Sequence, residues 1–191
     1  MLIRRLSDLD LMDALIVDDI LHDFVYGKLK SMAAARIVPA TKRILSAARR
    51  AKVPVIYVCD AHLPSDPEIK LWGAHAMKGT PGARVIDELR PKKGDYVLEK
   101  RVYSSFHDTG LDLLLMTLKV DTVVIVGLYS DICVRHSAAD AFYRGYKIII
   151  PRDCVESLVE GENERQLEYM KDTYNAKIAT SEVLIRSWNA Y

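Results

Sequence analysis

Three cysteines, Cys59, Cys133 and Cys154, are odd in number and contain no Cys-x-x-Cys spacing. A disulfide framework is therefore not expected, nor is thioredoxin-like or cysteine-zinc chemistry, and a free thiol remains as a candidate nucleophile. Cys133 stands in Gly127-Leu128-Tyr129-Ser130-Asp131-Ile132-Cys133, where a β-branched run gives way to a helical pattern. This places it in the first turn of a helix, with Ser130 or Asp131 as the cap. A helix N-terminus lowers a thiol pKa and offers N–H groups to an anion, which favours a thiolate and an oxyanion alike. A cysteine on an alanine-rich helix would also suit a core, as Cys59 and Cys154 do beside apolar strands. His136, one helical turn further on, is an alternative base.

Asp18 and Asp19 follow the apolar run Ala14-Leu15-Ile16-Val17. Adjacent strand residues point to opposite faces, and burying either carboxylate requires a partner, but alternation does not choose between them. Lys100 shares a strand face with Tyr96 and Leu98, where it would steady a carboxylate or the negative charge developing on a substrate. Asp60-x-His62, with His75 thirteen residues later, supplies nitrogen and oxygen ligands suited to zinc, iron or manganese. Asp66 and Glu68 add carboxylates to the same stretch.

These residues are positioned by alternating elements. Buried-strand runs occur at Ala14–Val17, Val53–Val58, Tyr96–Leu98, Thr122–Val126, Tyr146–Ile150 and Lys177–Ala179, continuous rather than alternating, as in strands covered on both faces. Helical patterns fall at roughly 32–51, 110–119, 132–144 and 162–174, with Gly145 placed to stop the third. Residues 60–81 read as one long irregular stretch, of the kind that is often functional in a compact domain. The expectation is a three-layer α/β/α fold around a mainly parallel sheet of about six strands. Ligands in such sheets bind beyond the carboxyl ends of the strands. Asp18 or Asp19, Asp60 with His62, Lys100 and Cys133 all follow strands and would meet at that rim.

The chain has 191 residues, half of them apolar, which predicts one domain over 1–191. Lys plus Arg number 27 against 26 Asp plus Glu, a balance unsuited to holding nucleic acid by charge. No apolar run approaches the ~18–20 residues needed to cross a bilayer. Met1 to Asp13 mixes charges with single leucines and lacks a signal-peptide core, so a soluble, cytoplasmic protein is expected.

Taken together, the motifs resemble those of the isochorismatase-like cysteine hydrolases, and within them the nicotinamidases (pyrazinamidases), over roughly residues 14–180. Residues 14–24 are similar to the family's first-strand signature, whose register selects Asp19 as the base. Asp60-Ala61-His62 and Trp72 to Gly82 resemble the metal loop, Lys100 to Phe106 the lysine segment, and Ser130-Asp131-Ile132-Cys133-Val134 the nucleophile loop.

The resemblance implies an Asp19–Lys100–Cys133 triad hydrolysing a small amide, with backbone N–H groups of Tyr129 and Cys133 as oxyanion hole. A cis peptide, here Leu128–Tyr129, usually shapes that hole. It implies a divalent metal, zinc first with iron and manganese as alternatives, held by Asp60, His62 and His75, with Glu68 as the fourth ligand of some members. In nicotinamidases that metal binds the pyridine nitrogen and orients the amide. Phe24, Trp72 and Tyr103 would line a flat aromatic pocket, and a homodimer or higher homo-oligomer is implied.

Several positions depart from the family pattern. Leu21 replaces a common Gln, Gly73-Ala74 a common Pro-Pro, and Tyr129 a small or valine-like residue, while Asp18 adds a carboxylate. These changes bear on the substrate. N-Carbamoylsarcosine amidase and the ureidoacrylate and maleamate amidohydrolases share the family pattern, so an N-carbamoyl or acyclic amide is the alternative to nicotinamide. A metal-water hydrolase and a silent binding protein are the readings of other classes.

Overall fold

A computed structural model describes residues 12–190; residues 1–11, where most of the segment read for a signal peptide falls, lie outside it. Seven parallel strands form the sheet. They are β1 (Met12–Asp18), β2 (Val55–Asp60), β3 (Tyr96–Lys100), β4 (Val120–Leu128), β5 (Lys147–Pro151), β6 (Val155–Glu156) and β7 (Lys177–Ala179). Their order is β3-β2-β1-β4-β5-β7, with β6 pairing beside the end of β4. Sequence patterning finds the other six strands; β6 is two residues long and has no period to read.

The helices are α1 (His22–Val25), α2 (Val38–Arg50), α3 (Pro67–Trp72), α4 (Leu111–Thr117), α5 (Cys133–Tyr143), α6 (Asn163–Tyr174) and α7 (Ser181–Asn189). Leu15 and Val17 of β1 face a core with Ile44, Leu45 and Ala48 of α2 and Leu184 and Trp188 of α7. Ala14 and Ile16 face the opposite core, with Leu111 and Leu115 of α4, Val134 and Ala138 of α5 and Leu167 of α6. The two-residue strand period thus feeds both layers, and each fully buried Leu or Ile contributes roughly 1.5–3 kcal/mol. Among the described residues no helix is long and apolar enough to cross a membrane.

Three local readings are corrected. The helix expected over 32–51 is a 3-10 turn, Ala34–Ile37, leading into α2, because Pro39 stands in the first turn of α2 and its ring crowds the carbonyl four residues back. Residues 60–81 contain α3, which has fewer than two turns and so shows no helical period; Gly73 ends it at φ 75°. Neither Ser130 nor Asp131 caps α5: its N-cap residue is Ile132, and the Asp131 carboxylate instead accepts the N–H of Leu158 at 3.0 Å.

Candidate active site

Strand order brings the chemical groups together. Lys100 ends β3, Asp60 ends β2, Asp19 follows β1, and Cys133 opens the helix after β4, so four adjacent strands deliver them side by side to one rim. Register matches too, with Asp60 opposite Lys100 and Asp18 opposite both Val58 and Gly127. At Gly127 (φ 139°) a Cβ would stand 1.8 Å from the Asp18 carbonyl oxygen. Only glycine permits β1 and β4 to approach this closely just before the nucleophile loop.

Lys100 is buried among carboxylates. Its Nζ lies 2.5 Å from Asp19 Oδ2, donates to Asp60 Oδ1 at 2.7 Å, and stands 3.8 Å from Asp18 Oδ1. Asp19 sits in the left-handed region at φ 53°, and its Oδ1 accepts the N–H of Asp60 at 2.7 Å. Asp19 Oδ2 is the oxygen paired with the Lys100 ammonium. A carboxylate oxygen of Asp19, one of Asp60 and the Cys133 sulfur lie within 4.8 Å of one another.

Burial, reinforced by the charge of Asp60, holds the Asp19 carboxyl well above the usual carboxylate range. Burial also pushes the Cys133 thiol well up; Lys100 pulls it back, but the three carboxylates oppose that pull. The shift runs opposite in direction to the lowering expected from a helix N-terminus, because burial disfavours the thiolate. Burial works against the Lys100 ammonium, yet Asp19 and Asp60 hold it firmly protonated.

Asp18 turns to the other face of β1, as strand alternation requires. There its Oδ2 accepts the hydroxyl of Ser137 on α5 at 2.7 Å, and the Ser137 oxygen accepts the N–H of Ser105 at 2.9 Å. Burial pushes its carboxyl up to about 6.

The second cluster is Asp60, His62, Glu68 and His75, all buried, with one donor atom from each within 4.8 Å of the others. Backbone pairing builds it. The His62 N–H donates to Ala76 O and the Lys78 N–H to His62 O, which folds residues 75–78 back beside residue 62. His75 Nδ1 faces the Gly73 carbonyl at 2.8 Å, which fixes the proton there and leaves Nε2 as the free lone pair. His62 Nδ1 meets Asp66, while its buried Nε2 has no hydrogen-bond partner and stands 3.4 Å from Asp60 Oδ2 and 3.7 Å from Glu68 Oε2.

An orphaned imidazole nitrogen between two carboxylates fits a cation. The donor types, two imidazoles and two carboxylates, are those that zinc accepts. Burial, then Asp60, pushes Glu68 up to about 7, as expected of a carboxylate waiting for a positive partner. Asp66 is held by Arg101 and by the N–H of Leu63 at 2.8 Å, so it supports His62 from behind and stays outside the cluster. Asp60 belongs to both centres, one oxygen on Lys100 and the other toward His62.

A narrow cleft opens at Cys133, lined by Phe24, Leu29, Trp72, Tyr103, Tyr129, Ile132 and Leu158 together with Asp60, Glu68 and His75. The Trp72 Nε1–H donates to the Tyr103 hydroxyl at 2.9 Å and ties two of its walls. Leu29, Ile132 and Leu158 escape the sequence reading, because isolated aliphatics in loops carry no periodic signal. His136 lies outside the cluster: its Nδ1 faces the Ile132 carbonyl at 2.7 Å and its ring packs on Tyr103.

The Leu128–Tyr129 peptide is cis. In the loop that follows, Ser130 N–H donates to Glu156 O, and Ile132 and Val134 N–H to Tyr129 O. The amides of Tyr129 and Cys133, and that of half-buried Asp131, have no acceptor among the described residues.

A parallel sheet with a cysteine, an aspartate and a lysine at its carboxyl rim defines a hydrolase-like architecture. The isochorismatase domain signature matches residues 13–183, and the chain belongs to the isochorismatase family. It resembles the crystal structure of N-carbamoylsarcosine amidase from Thermoplasma acidophilum, with 44% identity and a TM-score of 0.85 over 90% of this chain and 97% of that one. It also resembles nicotinamidase/pyrazinamidase PncA from Bacillus subtilis, with 30% identity and a TM-score of 0.84 over 88% of this chain and 100% of that one. A pyrazinamidase of Pyrococcus horikoshii, determined in complex with zinc, is 27% identical at a TM-score of 0.82, covering 88% of this chain and 98% of that one. The protein is an isochorismatase-family hydrolase with amidohydrolase relatives.

Proposed function

We propose that the chain, as one domain over 1–191, is a cysteine amidohydrolase that cleaves the carboxamide of nicotinamide or pyrazinamide to the acid and ammonia. The observation that carries this reading is the Cys133 sulfur beside a buried Asp19 carboxylate whose charge is steadied by Lys100. Asp19 takes the thiol proton and the sulfur attacks the amide carbon. The Tyr129 and Cys133 amides, which lack other acceptors, receive the oxyanion. Asp19 returns the proton to the leaving nitrogen, ammonia departs, and a thioester remains on Cys133. Water, deprotonated by Asp19, then releases the acid and restores the thiol. Lys100 remains an ammonium throughout and prevents Asp19, Asp60 and Asp18 from repelling one another.

Asp60, His62, His75 and Glu68 would hold a divalent ion, zinc first, which when bound supplies a Lewis-acid contact for a substrate ring nitrogen. The relative solved with zinc supports this assignment. Chelation is expected to raise KM for nicotinamide by about tenfold or more while leaving the Cys133 chemistry in place, as loss of a positioning contact does. Added zinc should restore KM. In a metal-water hydrolase, chelation would instead abolish turnover of every substrate, and Cys133→Ala would only weaken it.

The pocket favours a neutral amide. Among its described walls there is no Arg or Lys, and the charged residues at its base, Asp60 and Glu68, are acidic. A substrate bearing a carboxylate, such as N-carbamoylsarcosine, would find no guanidinium or ammonium on those walls to pair with. The 44% identity to an N-carbamoylsarcosine amidase supports that second reading. Ammonia release from the two compounds by metal-loaded protein, with Cys133→Ala as blank, decides between them. The expected kcat/KM for nicotinamide is at least about tenfold the higher, equivalent to about 1.4 kcal/mol of discrimination. The reverse ratio would move the assignment to the carbamoyl acid.

A further inference from the structure

The segment between α1 and the Ala34–Ile37 turn carries two walls of the pocket, Phe24 and Leu29. Three of its backbone groups point inward, and all end on one side chain. The Tyr129 hydroxyl shares its single proton between the carbonyl oxygens of Phe24, at 2.7 Å, and Leu29, and it accepts the N–H of Ser31 at 3.1 Å. Among the described residues neither carbonyl has another donor. The ring of Tyr129 is buried and stands edge-on to Phe24, 5.9 Å between centroids; Phe24 is edge-on to His75 at 5.7 Å, and His75 to His62 at 4.7 Å. Three of these rings, Tyr129, Phe24 and His75, line the cleft, and His62 stands behind His75.

We propose that the Tyr129 hydroxyl is a positioning and specificity-determining group that pins the 24–31 loop, making Phe24 and Leu29 a rigid apolar wall for a flat, uncharged amide. The meaning given to that wall rests on the amidohydrolase reading above; the anchoring itself does not. Without the hydroxyl, the buried Phe24 carbonyl and the partly buried Leu29 carbonyl and Ser31 amide lose their partner, and the loop must move outward for water to replace it. The wall touches the non-reacting part of a substrate, so it contributes equally to ground state and transition state. Its loss therefore appears in KM rather than kcat.

The test is Tyr129→Phe in the metal-loaded full chain, which removes one oxygen and keeps the ring. Gly27 and Leu29 amides bond to His22 and Asp23 carbonyls rather than to Tyr129. Their hydrogen exchange reports loop release beyond the bonds deleted, and it should accelerate about tenfold or more. KM for nicotinamide should rise about fivefold or more, with kcat within about twofold of the parent. Unchanged exchange, unchanged KM, or a fall in kcat at constant KM would each overturn the proposal, the last by assigning the hydroxyl to the oxyanion loop. Should the variant not fold, the parent chain decides: an anchored Ser31 amide exchanges about a hundredfold or more slower than in a free chain, and free-chain exchange refutes the anchor. If the parent releases no ammonia from nicotinamide, the substrate reading fails, while exchange still judges the anchor.

Discussion

Cys133→Ala is expected to lower amide turnover by about four to six orders of magnitude, the usual consequence of deleting a covalent nucleophile that acts with its partners as a unit. Fold and cation binding should survive, because the sulfur lies beside Asp19 and Asp60 rather than in either hydrophobic core, and Asp60, His62, Glu68 and His75 are untouched. Zinc content and melting temperature close to those of the parent would accompany the lost activity. Retention of more than a few per cent of turnover would remove Cys133 from the chemistry. The pH profile of the parent carries the same logic. Asp19 must be ionised to take the thiol proton, and burial, then Asp60, raises its pKa, so activity is present at higher pH. It disappears as pH falls through that raised value, above where an ordinary aspartate titrates.

Lys100→Met should damage both activity and stability. Methionine matches the length of the stem but leaves Asp18, Asp19 and Asp60, all buried, without their shared cation. Removing one partner of a buried ion pair costs about 3–5 kcal/mol, which for a chain of this size lowers Tm by roughly 10 °C or more. Protons can relieve the excess charge. Without Lys100 the Asp18 and Asp19 carboxyls, already raised, rise further and Asp60 loses the main cause that lowers it; groups so raised contribute stability fully at low pH and lose it as pH rises through their folded values. The deficit should therefore be larger at pH 8 than at pH 5. Turnover should fall about a thousandfold or more, since Asp19 would then hold its proton. Thermal melts of both proteins at the two pH values check this; a Tm within 2 °C of the parent at pH 8, a shift equivalent to roughly half a kcal/mol, would show the ammonium to be dispensable.

The continuous apolar runs and the helical periods of the chain disclosed most strands and the bodies of α2, α4, α5 and α6, because strands covered on both faces are apolar throughout and amphipathic helices repeat their burial at fixed spacing. β6, α3 and α1 were not legible, being shorter than the period that would reveal them. Residues 181–189 form α7, whose Leu184 and Trp188 lie one turn apart on the buried face, a spacing the sequence does carry. Asp18 and Asp19, Asp60, His62, Lys100 and Cys133 were marked by lying just after apolar runs, and the family resemblance alone selected Asp19 over Asp18. Leu29 and Leu158, the support of His62 by Asp66 and Arg101, and the Ser137 bond to Asp18 join positions with no local relation to one another.

By itself, then, the sequence determined the alternating α/β plan, the set of reactive side chains and their common rim, because residue type and period act locally along a strand. Only the tertiary structure decided which groups meet. The order β3-β2-β1-β4 sets Lys100 between Asp19 and Asp60 and makes one carboxylate serve two centres. It also set the burial that pushes the thiol up, opposite in direction to the expectation from its helix, because desolvation depends on everything packed around a group. And it directed the Tyr129 hydroxyl away from the cleft onto a loop about a hundred residues distant, since a side chain's direction is set by the partners that folding brings to it.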